Sequence, residues 1–268
     1  SHYVKKGTAL DQEARKRGTS VYIADMVIPM LPKELSNGIC SLNPNEERLA
    51  FSCLMELDND GEITKYRFVK SLIRSRVKGV YSEVNKILAG EADDGLKEKY
   101  AEVIGEIPVM NELASILIQN RIKRGAPEIN SVESKIICDE NGVCIDIKAR
   151  QSGVAEGIIE EFMLAANNCA AKVGMSNHIP FVYRVHEAPT AEKLMMLKDT
   201  LVAMGIEPKG INETSCAKDL ANILRECKDD PRAPIIHRMT LRTMMKAKYS
   251  ENPIGHFGLV MKEYAHFT

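Results

Sequence analysis

Two short turn signals constrain the fold of this chain more than any other feature. Asn59-Asp60-Gly61 separates the run LAFSCLMEL at 49–57 from a second strand-like run at 62–78, and Asn141-Gly142 sits within 134–148. Asn-Gly and Asp-Gly pairs tolerate the positive φ angles of tight hairpin turns, so each predicts two antiparallel strands adjacent in sequence. Between the hairpins the spacing changes. Leu96, Tyr100, Val103, Ile107, Met110, Leu113, Ile116 and Leu117 recur at three- and four-residue steps, which is the period of a helix with one apolar face over 96–124. Pro108 lacks an N–H and is expected to split or kink that helix. Gly125 is expected to stop it after Arg121, Lys123 and Arg124, whose charge suits a helix C-terminus. Hairpins interleaved with helices exclude the strict strand–helix alternation of a parallel sheet. They predict a mixed α/β fold of the α+β type, with a largely antiparallel sheet and flanking helices.

The remaining elements follow from the same periods. A short helix is expected over 9–17, stopped by Gly18, and another over 81–88. A long helix over 154–173 would bury Ile158, Ile159, Phe162, Met163, Ala166, Cys169 and Ala170 and end at Gly174. IPFVYRVH at 179–186 reads as a strand, and Thr190 as the cap of a helix running to Met204. Two further helices are expected over 215–227 and 233–248, followed by a strand-like close, GHFGLVMKEYAHFT, at 255–268.

Composition narrows the class without naming a function. A chain of 268 residues can form one large domain or two small ones and bury a substantial core. No apolar run approaches the ~18 residues that span a bilayer, so a soluble protein with no membrane partner is expected. No basic-then-apolar leader suggests export. The seven cysteines, odd in number and without a CxxC pair, fit reduced thiols in the cytoplasm, most of them on apolar faces. A net charge of −1 does not announce a nucleic-acid binder, so positive charge has to be concentrated locally or supplied by parts outside this span. Arg67, Arg74, Arg76 and Lys78, at the second strand-like run, are one such stripe, read either as phosphate contacts or as an ordinary solvated face.

The segment RGTSVYIADMVIPMLPKELSNGICSLNP at 17–44 is punctuated by Pro and Gly and has almost no periodicity. Long irregular segments within domains are usually functional or disordered. Val27, Ile28, Met30, Leu31, Ile39 and Leu42 make this one too apolar for disorder. Together with SHYVKKG, VYSEV, VAEGIIEEFMLAAN, FVYRVHE and GHFGLVMKEYAHFT, in that order along the whole chain, it resembles the ribonuclease II and ribonuclease R family, whose catalytic unit is the RNB domain.

The resemblance implies a processive, magnesium-dependent 3′-to-5′ exoribonuclease that releases nucleoside 5′-monophosphates from the 3′ end of single-stranded RNA. This span, 1–268, would be part of the RNB catalytic domain and supply the channel wall. It implies that Tyr22 stacks on a base and that Glu160 contacts a ribose near the scissile end. Tyr81 would be a tyrosine near the active cavity, otherwise packed in the core. Arg17 would be a phosphate contact or a helix-end residue. Where the family carries a clamping phenylalanine this chain has Ile129, and Ser152 and Gly157 stand where basic residues are common. The family's acidic metal motif is expected upstream of Ser1 and an arginine-rich SPIRRY segment after Thr268, so the 268-residue chain alone is expected to be inactive. Asp58, Asp60, Asp93, Asp94, Asp229 and Asp230 read as solvated turn residues rather than a substitute Mg2+ site. The alternative is a degenerate relative that binds RNA or a protein without cleaving.

Overall fold

The computed structural model describes residues 2–24, 26–128, 133–150 and 152–267. The chain divides into two compact units, one comprising Ser1–Ser52, Phe68–Ile107 and Val132–Gly153, the other Cys53–Arg67, Pro108–Ser131 and Val154–Thr268.

In the first unit, α1 (Ala9–Arg17) begins at Thr8, whose hydroxyl accepts the Asp11 N–H, and ends at Gly18 with φ +71°. That backbone conformation excludes most side chains. A two-residue antiparallel ribbon follows, β1 (Val21–Tyr22) with β2 (Val27–Ile28), and then a π-helical turn at Glu34–Ile39. Strands β3 (Glu47–Leu57) and β4 (Ile63–Arg74) form a hairpin whose residues are divided between the units. Helices α2 (Tyr81–Leu88) and α3 (Asp94–Lys99) are joined through Tyr100, which is 1% exposed. Its hydroxyl donates to Glu83 at 2.7 Å and accepts the Val80 N–H at 3.0 Å. Strands β5 (Glu133–Cys138) and β6 (Cys144–Arg150) complete the unit as an antiparallel hairpin.

The second unit carries the longer helices. It holds α4 (Glu106–Arg124) from Pro108 onward, α5 (Val154–Ser176), α6 (Ala191–Ala203), α7 (Ala217–Glu226) and α8 (Ala233–Thr243). A short antiparallel pair, β7 (Tyr183–Val185) with β8 (Lys248–Ser250), joins them. Leu194, Leu197 and Leu201 of α6 pack with Leu220, Ile223 and Leu224 of α7 and Ile236 of α8 into the main core. A smaller cluster gathers Ala171, Tyr183, Val185 and Ala265, with Phe181 packed against it.

The mixed α/β class holds, but the strands form two-stranded antiparallel ribbons rather than one sheet among the described residues. The helix expected over 96–124 is two helices, and Pro108 stands in the first turn of α4, where an N–H has no intrahelical acceptor to lose. Helix α5 runs past Gly174 to Ser176. A Cβ at Gly174 would lie 2.8 Å from Phe181 Cγ and 2.9 Å from Tyr183 Oη, so this glycine serves close packing rather than helix termination. The last two helices end earlier than expected, freeing 248–250 to pair with β7. The closing segment is a 3-10 turn at Phe257–Leu259 with isolated bridges at His256, not a strand. Only Cys169 and Cys227 are buried; Cys40, Cys144 and Cys216 are exposed.

Candidate nucleic-acid interface

Three of the four sequence-derived candidates belong to the first unit. Tyr22 is 78% exposed, on a ribbon whose Val21, Ile23, Met26, Val27 and Ile28 are also exposed. The ribbon is closed by the Ile23 N–H donating to the Met26 carbonyl at 3.0 Å and anchored by the Met30 N–H donating to Ser20 Oγ at 3.0 Å. An aromatic ring on a solvent-facing apolar strip is not a core position. Arg17 helps hold the ribbon in place. Its Nε pairs with Glu13 at 2.9 Å and its Nη1 donates to the Pro29 carbonyl at 2.8 Å, across from the helix it ends. Tyr81, 42% exposed, opens α2. Arg74 donates to the Asn45 carbonyl, and Arg76 pairs with Glu102 at 3.5 Å, so part of the basic stripe is already engaged.

Glu160 belongs to the second unit, half-exposed on α5 with Arg121 Nη1 at 3.7 Å. Beside it, Glu161 is 4% exposed, and its Oε1 lies 2.8 Å from Arg121 Nε. The contact is an ion pair without a well-aligned hydrogen bond, since neither atom meets hydrogen-bond geometry. Burial pushes the Glu161 carboxyl above its ordinary range, opposed chiefly by the charge of Arg121. Arg121 thus spans both glutamates. Sequence reasoning missed this pair because Arg121 was explained by the helix end. The signal was present: Glu161 falls three residues after Ile158 and three before Leu164, both buried. Ile159, expected inside, is 46% exposed.

The same face of α5 borders a cleft of about 240 Å³ that Gly61, Asn120, Arg124, Glu161, Asn168 and Lys172 help to line. Gly61, at φ +77°, lets the β3–β4 turn meet α4: an added Cβ would sit 2.7 Å from Ile116, and Asn120 donates to the Asp60 carbonyl at 2.6 Å. Two adjacent asparagines fasten the end of the chain to α5. Asn167, fully buried, donates to Tyr264 Oη at 3.1 Å and accepts the Phe267 N–H at 2.9 Å; Asn168 donates to the Glu263 carbonyl at 2.9 Å. His186 and His256 meet edge to face, and each Nδ1 accepts a backbone N–H, from Gly258 and Leu259. Burial pushes both below the ordinary imidazole range, His256 to about 4, which makes them neutral structural residues.

Among the described residues no group of three or more His, Cys, Asp or Glu is placed to hold a metal. Asp58 Oδ1 accepts the Asp60 and Glu62 N–H groups, Asp93 caps α3, and Asp230 is held by Arg232 at 2.6 Å. Ile129, standing where a clamping aromatic was expected, lies outside the described residues.

The family description RNB domain matches residues 1–268. Ribonuclease R of Thermotoga maritima is 46% identical over 269 residues, covering 100% of this chain and 37% of that protein. Ribonuclease R 1 of Lactococcus lactis is 42% identical over 268 residues, covering 100% of this chain and 33% of that protein. The solved structure of Mycoplasma genitalium RNase R in complex with ribose methylated single-stranded RNA matches with a TM-score of 0.92 at 34% identity, covering 100% of this chain and 41% of that one. The chain therefore spans about a third of the length of these curated relatives.

Proposed function

The chain belongs to the RNB domain family, and from that membership we propose that it is part of a cytoplasmic 3′-to-5′ exoribonuclease, a hydrolase acting on single-stranded RNA. Its role is to form the wall of the channel that guides the RNA 3′ end. The observation that carries this reading is the Tyr22 ring, 78% exposed on an apolar ribbon. Stacking on an aromatic face contributes roughly 1–3 kcal/mol per base and accepts any sequence, as a processive enzyme requires. Tyr81 offers a second exposed ring. Glu160 accepts from a ribose 2′-hydroxyl, a contact that selects RNA over DNA, and Arg121 holds its carboxylate. Arg17 contributes through the ribbon it positions.

Magnesium-assisted hydrolysis is assigned to carboxylates other than those described, so the 268-residue chain is expected to bind RNA without degrading it. No described helix is long and apolar enough to cross a membrane. The test is binding of a 3′-labelled single-stranded RNA to this chain. Tyr22→Ala should weaken binding about tenfold, one base stack converted to affinity, and in the full-length parent should leave longer end products. Unchanged affinity and unchanged products would remove Tyr22 from the channel. The second reading, a degenerate relative that binds RNA or a protein without cleaving, is favoured by Ile129 in place of the family's aromatic and by Ser152 and Gly157 in place of basic residues. Absence of mononucleotide release by the full-length parent with magnesium would select it.

A further inference from the structure

We propose that Cys138 and Cys144 form a reversible oxidation site, a dithiol that low-molecular-weight disulfides such as glutathione disulfide convert into a cross-strand disulfide. The inference is independent of the RNA reading above. The two residues are register partners in the β5–β6 ladder, at an irregularity where the pairing shifts between Ile137 and Cys138, and both carry thiols. The Asp139 N–H donates to the Val143 carbonyl at 2.9 Å and closes the turn just beyond them. Facing partners of an antiparallel pair have Cα atoms about 4.5–5.5 Å apart, within the ~4.4–6.8 Å range over which disulfides form. Cys144 is exposed, and exposed disulfides are the ones thiols reduce readily, so formation of the bond is reversible.

The turn holds this geometry without the bond. Asp139 Oδ1 accepts the Asn141 and Val143 N–H groups, both at 2.9 Å, and Gly142 takes φ +78°. Cys144 is exposed and Cys138 half-buried, so reagent reaches Cys144 first. The ribbon has no third strand among the described residues, and an isolated hairpin is marginally stable in water. A covalent tie across it therefore changes its order substantially. A competing thiol pair exists in the second unit, where Cys53 and Cys169 are hydrogen-bonded. Burial pushes Cys169 up to about 12, leaving little thiolate to attack.

The chemistry balances. The Cys144 thiolate attacks one sulfur of glutathione disulfide and expels one glutathione thiolate. The Cys138 thiolate then attacks Cys144 Sγ in the mixed disulfide and expels the second. The two thiol protons end on the two released glutathiones, and the protein loses two hydrogens.

The experiment treats the reduced 268-residue chain with glutathione disulfide, alkylates the remaining thiols, and cleaves after Glu140, which parts the two cysteines. The expected result is a pair of peptides held together through Cys138 and Cys144, with two alkylation adducts lost and both restored by dithiothreitol. Cys138→Ser should instead trap glutathione on Cys144, and a Cys53→Ser, Cys169→Ser double variant should leave the link intact. Wild-type protein with both hairpin thiols alkylated, with a stable glutathione adduct on Cys144, or with either cysteine joined elsewhere would overturn the proposal.

Discussion

Replacing Arg121 with methionine keeps most of the side-chain length and apolar packing and removes the cation from Glu161. The arginine side chain is 17% exposed and its partner's 5%, so the carboxylate is left in a site that water reaches poorly. Breaking a buried pair by deleting one partner costs roughly 3–5 kcal/mol. The partial exposure of Arg121 places this case near the lower end, about 3 kcal/mol, or roughly 6–12 °C in melting temperature for a domain of this size. The sign of the pH dependence follows from the direction of the Glu161 shift. Its carboxyl already sits above the ordinary value of 4.5 because of burial, and loss of Arg121 raises it further. A raised carboxyl pKa favours folding fully below 4.5, and that contribution is lost as pH rises through the folded-state value. The variant should therefore be most deficient near neutral pH and approach wild type as pH falls toward 4.5. Adding Glu161→Gln removes the stranded charge and should bring stability back to within about 1 kcal/mol of wild type. Thermal and urea denaturation followed by circular dichroism across pH provide the measurement. A single variant melting within about 2 °C of wild type at neutral pH, or a double variant no better than the single, would refute the buried-pair account.

Two glycines of α5 should respond in opposite directions. Gly174→Ala forces a methyl into Phe181 and Tyr183 and should destabilise by about 1–3 kcal/mol, whereas Gly157→Ala meets no atom within 4 Å and should stabilise by about 0.5–1 kcal/mol; equal effects on the urea midpoint would contradict this packing. His256 is held down to about 4 by burial first and by His186 and Arg184 after it. A depressed folded-state value means that its contribution is present above 6.5 and lost as pH falls through about 4. The loss should be on the order of 2 kcal/mol after allowing for partial exposure, and His256→Gln should flatten the stability profile over that interval.

Turn chemistry and helical period were legible in the sequence wherever one local rule decided the outcome. Gly18 stops α1, Thr190 caps α6 by accepting the Lys193 N–H, and both Asn/Asp-Gly turns close hairpins. Misreadings arose where distant residues decide. Gly174 looks like a stop signal until Phe181 and Tyr183 are seen against it. Pro108 looks like a kink until the loop after Tyr100 places it in a first turn. Glu161 and Asn167 lie on the buried face of α5 although polar, and a partner 40 residues earlier in one case and 97 later in the other makes their burial tolerable. The exposure of Tyr22 had no signature in periodicity at all; the family motif alone singled it out.

Local charge pairing explains why composition was silent about RNA. Arg15 is paired with Asp11, Arg17 with Glu13, Lys65 with Glu56, Arg76 with Glu102, Lys99 with Glu83 and Arg121 with Glu160 and Glu161. The exposed pairs among these contribute little to stability, but every pair cancels a positive charge that would otherwise attract a phosphate backbone. A chain so neutralised, with a net charge of −1, cannot hold RNA by its overall field. In the function proposed above, contacts that need no net charge carry affinity: a ring face for a base and a carboxylate for a ribose hydroxyl. Tyr22 and Glu160 are groups of those two kinds, and both are turned to solvent. On this reasoning the near-neutral charge does not argue against the RNA-binding role proposed above.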